Sequence, residues 1–125
     1  MNYAFQVAFI LFMLDDVLDR LMAELHRRAA EMPSGSYTTK LLQGGIPAIG
    51  KKIREEAEEV IEAAGEPDEA GLHHTVREAA DVIYHLWVLL ASRGITVNDI
   101  RKELERREGV SGLDEKRQRG QEPAT

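Results

Sequence analysis

The chain has 125 residues, of which 43% are hydrophobic and 30% charged, and its formal net charge at pH 7 is −6. This length fits one globular domain, and the acidic balance argues against binding to nucleic acid or to an anionic membrane surface. The sequence has no cysteine, which excludes disulfides, thiolate metal ligands and a cysteine nucleophile, so any metal must bind to oxygen or histidine. A core this small gains stability from self-association, and we expect an oligomer.

The amino-terminal stretch of residues 1–14, MNYAFQVAFILFML, is mostly apolar and has no charged side chain. A secretory signal would begin with basic residues and end at a small-residue cleavage site, and a membrane span would need about twenty apolar residues. Neither pattern is present, so we expect no membrane association and a cytoplasmic location. Two interpretations remain open: a helix extension that packs in a dimer, or a start codon assigned too far upstream.

Hydrophobic periodicity predicts helices along the rest of the chain. Residues 15–32 place apolar side chains at three-and-four spacing, with acids early and arginines late, and a Pro-Ser-Gly break follows. Residues 36–45 then predict a connector with one or two helical turns. Residues 47–64 predict a second helix and residues 72–92 a third, largely buried one. Residues 96–107 predict a last, charged helix.

The predicted fold class is all-α. No stretch alternates apolar and polar residues over the length of a strand. Four to five helices with short connections are best satisfied by a bundle. We therefore divide the chain into an apolar extension at residues 1–14, an all-α domain at 15–107 and a charged tail at 108–125.

Two pairs of carboxylates lie on the second and third predicted helices. Glu56 and Glu59 form one pair, with Glu55 beside them, and Glu78 and Asp81 form the other. Residues three apart share one face of a helix, so each pair places like charges side by side. If the two helices pack antiparallel, the pairs converge into a pocket of four carboxylates. Such oxygen ligands suit Mg²⁺, which keeps positions open for water and substrate phosphates.

The alternative is that both pairs are ordinary solvated charges. Acidic residues at this spacing commonly form an exposed helix face. On a helical projection, however, Glu56 and Glu59 flank the apolar stripe of their helix, and Glu78 and Asp81 border a largely apolar face. Carboxylates in such places cost desolvation unless a positive group meets them, which favours a cation site.

Three histidines lie near the second acidic pair. His85 follows Asp81 by four residues on the same side of the helix. It would orient a water molecule, act as a base, or simply form a hydrogen bond to a neighbour. His73 and His74 precede the helix and are interpreted as exposed connector residues without a role.

Two lysines and a polar connector are candidates for substrate contact. Lys51 and Lys52 precede the acidic cluster by one turn, where they would meet phosphate oxygens or form ion pairs with the glutamates. The connector carries hydroxyl and ammonium groups that suit phosphates, although ordinary loops have the same composition. Its candidate residues are Ser36, Tyr37, Thr38 and Lys40.

Four segments, taken in order, resemble the phosphoribosyl-ATP pyrophosphatase family of the MazG-like all-α NTP pyrophosphohydrolase superfamily. They are SYTTKLLQGG, KKIREEAEEVIEAA, REAADVIYHLWVLLASRGI and RREGVSGLDEKRQR, and the resemblance extends over residues 15–119. It implies a magnesium-dependent enzyme, usually a homodimer. The implied reaction is hydrolysis of phosphoribosyl-ATP to phosphoribosyl-AMP and pyrophosphate, the second step of histidine biosynthesis.

The resemblance also implies roles for individual residues. Four carboxylates would bind the metal, with a fifth close by: Glu56, Glu59, Glu78 and Asp81, and beside them Glu55. The two lysines and residues 36–40 would face the substrate. The chain departs from the family pattern at Arg54, where glycine is expected, and in its apolar amino terminus.

Two other functions remain open from the residues alone. A related pyrophosphatase that acts on damaged or deoxynucleoside triphosphates would use the same carboxylates. A non-catalytic helical dimerisation module would instead expose the acidic pairs to solvent and bury the apolar amino terminus in an interface. Only the resemblance, and no spacing or composition, indicates a ribosyl-purine substrate.

Overall fold

The computed structural model describes the backbone of residues 2–14 and 16–121, and the side chains of residues 2–9 and 16–120. Across those ranges there are six helices and no strand, which confirms the all-α prediction. The helices are α1 (Tyr3–Leu14), α2 (Val17–Glu31), α3 (Tyr37–Ala64), α4 (Asp68–Ser92), α5 (Val97–Arg107) and α6 (Gly112–Gln121). The chain divides into two compact units, Met1–Ile95 and Thr96–Thr125. Asp15, where the first predicted helix begins, and the last four residues of the predicted tail lie outside the described residues.

Helix α2 begins at a capping box. The Asp16 carboxylate accepts hydrogen bonds from the N–H groups of Leu18 and Asp19, at 3.0 and 3.2 Å, and the Asp19 carboxylate accepts one from the Asp16 N–H. These bonds satisfy backbone donors that have no partner inside the helix. The inner face of α2 buries Met22 and Leu25. The acidic residues that predicted the amino end of α2 therefore act through these specific hydrogen bonds.

Helix α3 begins at Tyr37, well before the predicted start at Pro47. The Ser36 hydroxyl caps it by accepting a hydrogen bond from the Thr39 N–H at 3.4 Å. The predicted connector is therefore itself helical. At Gly45 the φ angle is 70°, a left-handed value that glycine adopts without a steric penalty, and the helix kinks there. The kink lies at the last residue of the predicted connector.

Helix α4 begins at Asp68, before the predicted start at Leu72, and only residues 65–67 separate it from α3. Two long helices joined by so short a connection run antiparallel, and α3 and α4 pack along each other. Gly71 is buried in the first turns of α4, against the backbone of Glu66. This hairpin carries both acidic pairs.

The core of the first unit lies between α2, α3 and α4. Its buried apolar side chains are Met22, Leu25, Leu41, Ile49, Ala63, Trp87, Val88 and Ala91. Two long-range hydrogen bonds support this packing: the Trp87 indole N–H donates to the Leu18 carbonyl at 3.1 Å, and His26 Nε2 donates to the Ile95 carbonyl at 2.8 Å. The hairpin of α3 and α4 is therefore held in place by its packing against α2.

Helix α1 is exposed over its described side chains. All of residues 2–9 are exposed, with relative exposures of 81% for Tyr3 and 58% for Phe5. Within the ranges that the structure describes, no helix combines the length and the apolar character needed to cross a bilayer.

The second unit contains α5 and α6. A capping box between Thr96 and Asp99 begins α5, and α6 forms from part of the predicted charged tail. Glu115 on α6 is buried and accepts a hydrogen bond from Arg106 at 2.6 Å. An ion pair of this kind gives the short α6 a fixed contact with α5.

Candidate metal centre

Three carboxylates from two helices meet in the first unit. Glu56 and Glu59 lie on α3, and Glu78 lies on α4. One carboxylate oxygen of each lies within 4.8 Å of the others. The pair on α3 shares a face because its members are three residues apart, and the antiparallel hairpin brings that face against α4. The structure thus brings together three of the four predicted ligands.

In Glu56 and Glu78, the two less exposed carboxylates of the cluster, a neighbouring side chain contacts one of the two oxygens. Lys52 Nζ lies 3.5 Å from Oε1 of Glu56, and His74 Nε2 lies 3.3 Å from Oε1 of Glu78. In both cases the partner precedes the glutamate by four residues, a spacing that stacks side chains on one face of a helix. The second oxygen of each carboxylate remains free to face the cluster.

Those second oxygens make the cluster fit a cation. Among the described residues, neither Oε2 of Glu56 nor Oε2 of Glu78 has a hydrogen-bond partner, and both atoms are buried. A buried polar group without a partner costs about 1–3 kcal/mol, and more when it is charged. A bound cation would remove this cost and the mutual repulsion of three carboxylates. A set of oxygen donors suits a hard divalent ion such as Mg²⁺.

The remaining two predicted carboxylates, Asp81 and Glu55, are not among the three that converge. Asp81 is exposed on α4, three residues after Glu78, and its side chain is not one of the three that converge. Its backbone carbonyl accepts a hydrogen bond from His85. Glu55 is exposed on α3 and lies 3.1 Å from Lys52 Nζ. Both stay candidates for a site completed by a ligand.

The two predicted lysines differ in their surroundings. Lys51 is exposed, whereas Lys52 is half-buried between Glu55 and Glu56. The hydrogen bond to Glu55 raises the pKa of Lys52 above its usual value. Lys52 is therefore positively charged at neutral pH and lies beside the carboxylate cluster.

The polar connector residues are used mainly to build α3. Ser36 caps the helix, Lys40 is exposed, and Thr38 is fully buried with its hydroxyl bonded to Tyr84 at 2.6 Å and to Arg28 at 3.1 Å. The Thr38 side chain therefore lies in the core, away from solvent. Of this predicted group, Tyr37 is the one whose hydroxyl reaches another predicted residue.

Tyr37 and His85 form a hydrogen-bonded pair. The Tyr37 hydroxyl lies 2.9 Å from His85 Nε2, and His85 Nδ1 lies 2.8 Å from the Asp81 carbonyl. His85 is only 6% exposed, whereas Tyr37 is 51% exposed. Both ring nitrogens of His85 are thus occupied within the chain. Partial burial raises the pKa of Tyr37, so its phenol is neutral at physiological pH.

His74 contacts one carboxylate of the candidate site, although the sequence interpretation gave it no role. It lies inside α4 and not in a connector, with Nδ1 2.8 Å from Glu66 and Nε2 3.3 Å from Glu78. The hydrogen bond to Glu66 raises its pKa above the usual value. The spacing of four residues between His74 and Glu78 was visible in the sequence, but it carries information only once α4 is known to begin at Asp68.

Comparison with known proteins identifies similar chains. A protein-family model described as "Phosphoribosyl-ATP pyrophosphohydrolase" matches residues 18–108. The chain is 65% identical over 102 residues to a phosphoribosyl-ATP pyrophosphatase of Rhodopirellula baltica, which covers 82% of this chain and 85% of that protein. It is 46% identical over 105 residues to the phosphoribosyl-ATP pyrophosphatase of Dechloromonas aromatica, covering 84% and 94%. A histidine biosynthesis bifunctional protein HisIE of Wolinella succinogenes is 48% identical over 103 residues, covering 82% and 44%.

Proposed function

The chain belongs to the phosphoribosyl-ATP pyrophosphohydrolase family, and we propose that it hydrolyses phosphoribosyl-ATP to phosphoribosyl-AMP and pyrophosphate in histidine biosynthesis. One structural observation carries this proposal: the convergence of Glu56, Glu59 and Glu78, with two buried oxygens that lack partners among the described residues. The family match includes all three glutamates. A polyphosphate substrate explains why an acidic protein concentrates further negative charge in one cluster, since a cation can join the two.

The proposed magnesium ligands are the three converging glutamates, with Asp81 one turn along α4 as a fourth. Glu56 and Glu78 are pre-oriented, because Lys52 and His74 each hold one of their oxygens. When bound, magnesium withdraws charge from phosphate oxygens and lowers the pKa of a coordinated water. Glu59 is exposed and can adjust its side chain to the ion.

The chain's own residues then bind and orient the polyphosphate. Lys52 offers its ammonium at the edge of the cluster, and exposed Lys51 and Lys40 add positive charge on the same helix. Water attacks the α or the β phosphorus. A bond from the water oxygen to phosphorus forms, the bond from that phosphorus to the bridging oxygen breaks, and the protons of the water pass to solvent. Pyrophosphate is the leaving group when the α phosphorus is attacked, and phosphoribosyl-AMP is the leaving group when the β phosphorus is attacked. Most of the rate enhancement comes from positioning and charge compensation.

The active form is proposed to be a homodimer. Ile61 on α3, and Leu72 and Val76 on α4, are 65%, 67% and 68% exposed. Leu72 and Val76 lie four residues apart, so they share one face of the hairpin. A small chain with exposed apolar side chains gains stability when a second copy covers them.

The decisive experiment is pyrophosphate release with a matched pair of variants. Wild type is incubated with phosphoribosyl-ATP, ATP or dATP, first with magnesium and then with a chelator. We expect chelator-sensitive release from phosphoribosyl-ATP. Glu56→Gln should lower kcat/KM about 100-fold or more because it removes a proposed ligand. Glu58→Gln, an equal change at an exposed position of α3, should retain activity.

The possible results separate site from substrate. Full magnesium-dependent activity in Glu56→Gln, with helical content unchanged by circular dichroism, would reject the proposed ligands. Release from dATP or ATP alone would keep the carboxylate site and reject the substrate. Release from none of the three nucleotides would reject the catalytic proposal as a whole.

A further inference from the structure

His85 is oriented by its hydrogen bonds. The Asp81 carbonyl can only accept, so His85 Nδ1 donates to it across 2.8 Å. In the neutral imidazole the proton is then on Nδ1, and Nε2 carries a lone pair. The Tyr37 hydroxyl, 2.9 Å from Nε2, must therefore donate its proton to the ring.

Packing prevents the ring from changing this arrangement. His85 is buried, and the rings of Tyr37 and Tyr84 meet it edge-on, with centroids at 6.0 and 5.4 Å. Tyr84 is anchored in turn by the hydroxyl of Thr38, which also accepts a hydrogen bond from Arg28. Thr38, the residue that follows Tyr37 in the chain, is thus fixed in the core by these two hydrogen bonds. Rotation of His85 would break two hydrogen bonds and both ring contacts.

The Tyr37 hydroxyl is connected through His85 to the Asp81 carbonyl, one helical turn along α4 from Glu78. Lys52, Glu56 and Glu55 all act on it electrostatically, and half of the Tyr37 side chain is open to solvent. Its single proton is used by His85. The oxygen is consequently left with lone pairs alone, so it can accept hydrogen bonds but cannot donate one to a phosphate oxygen.

We propose that His85 is a positioning residue that fixes the Tyr37 hydroxyl as a hydrogen-bond acceptor for an O–H donor bound at the carboxylate cluster. That donor is the attacking water or a hydroxyl of the substrate ribose. The role rests on the proposed function, because the donor arrives with the hydrolysis reaction. His85 itself touches neither substrate nor water.

Four variants test this arrangement by steady-state kinetics. Tyr37→Phe removes the acceptor, and His85→Asn keeps a donor for the Asp81 carbonyl while it removes the acceptor for Tyr37. His85→Gln places an amide oxygen near the position of Nε2 and should still accept the Tyr37 proton. We expect Tyr37→Phe and His85→Asn each to lower activity about 3- to 10-fold. The double variant should lose no more than either single one, and His85→Gln should keep most of the activity.

The kinetic parameter that falls identifies the donor. A loss in kcat at constant KM assigns the attacking water, whereas a loss through KM assigns a substrate hydroxyl. Both results support the acceptor role. Losses that multiply in the double variant would overturn the inference, since His85 would then act independently of Tyr37. Unchanged activity in Tyr37→Phe would overturn it as well.

A spectroscopic measurement tests the His85 tautomer independently of enzymatic activity. Nitrogen-15 NMR of the histidine rings in wild type should show His85 protonated on Nδ1, and Tyr37→Phe should shift the Nε2 resonance. A proton on Nε2 in wild type would overturn the inference even if the variants lose activity. The Glu56→Gln variant separates the two proposals. If Glu56→Gln is inactive while the losses at Tyr37 and His85 multiply in the double variant, the proposed function stands and only the positioning role of His85 is rejected.

Discussion

At the residue scale, Glu56 and Glu78 share one arrangement on two different helices. Each has one oxygen held by a cationic or hydrogen-bonding partner four residues earlier and the other oxygen buried without a partner among the described residues. The Lys52 pairing was one of two interpretations that the spacing on one helix left open. The His74 pairing was not, because the sequence placed that residue in a connector. Local spacing therefore predicted the converging carboxylates better than it predicted the side chains that hold them.

The acid sensitivity of α2 follows from Glu24. Its carboxylate accepts hydrogen bonds from Arg27 at 2.6 and 2.9 Å and from Arg28 at 3.0 Å, and these arginines lower its pKa from 4.5 to about 2. A lowered folded-state pKa means that the stabilising contribution is complete above the unfolded value of 4.5. It is lost as pH falls from 4.5 toward 2.

Glu24→Gln tests that sign. At pH 6 the variant should melt at a lower temperature than wild type, by a small margin because the pairs are exposed. The difference should shrink as pH falls below about 4.5, since wild type then loses the same interaction. Thermal melts from pH 6 to pH 3 measure it, with Glu58→Gln on α3 as the control. A difference that grows at low pH would contradict the assignment.

At the element scale, the tight connection between α3 and α4 aligns the site. The sequence predicted both helices but began each of them too late, at Pro47 and at Leu72. The Ser36 cap and the burial of the first turn of α3 extend that helix toward its amino end. A glycine-containing stretch has weak intrinsic preference for helix, so tertiary packing decides whether it is helical.

Gly71→Ala should destabilise this connection. A Cβ at position 71 would lie 2.3 Å from the Glu66 carbonyl oxygen, a backbone atom that cannot move aside alone. We expect a loss of about 1–3 kcal/mol in the free energy of unfolding. Gly50→Ala is the matched control within α3, because its nearest neighbour is the end of the Arg54 side chain at 4.0 Å. That change should gain about 0.5–1 kcal/mol from helix propensity.

Urea denaturation of both glycine variants measures whether each change lowers or raises the free energy of unfolding. Equal stability of Gly71→Ala and wild type would show that the Glu66 backbone can shift at little cost. A destabilised Gly50→Ala would indicate a close contact on α3 that the structure does not show.

At the scale of the whole molecule, the exposed apolar face of the hairpin is a feature that a single chain leaves unexplained. Leu72 and Val76 lie on it, with Ile61 of α3 also exposed. The sequence predicted a largely buried helix over residues 72–92, whereas the structure exposes Leu72 and Val76, close to the connection between α3 and α4. The homodimer proposal accounts for this because a second copy would cover the face.

Val76→Glu should therefore weaken self-association. Wild type should have a mass in solution of twice the 14.0 kDa chain, and the variant should shift toward one chain because it places a charge in the proposed interface. Ala70→Glu is the control, since it adds the same charge on another face of α4. Light scattering coupled to size-exclusion chromatography decides the matter. A monomeric wild type, or an equal shift in both variants, would contradict the proposed interface.

The sequence by itself determined the all-α class, the two acidic pairs and the face of the helix on which each pair lies. These properties are local, because backbone hydrogen bonding fixes which residues share a helix face. Only the tertiary structure decided that Glu78 meets the α3 pair, that the Oε2 atoms of Glu56 and Glu78 are buried, and that Tyr37 bonds to His85. Such contacts join residues distant in sequence, and they depend on how α3 packs against α4, which no local spacing specifies.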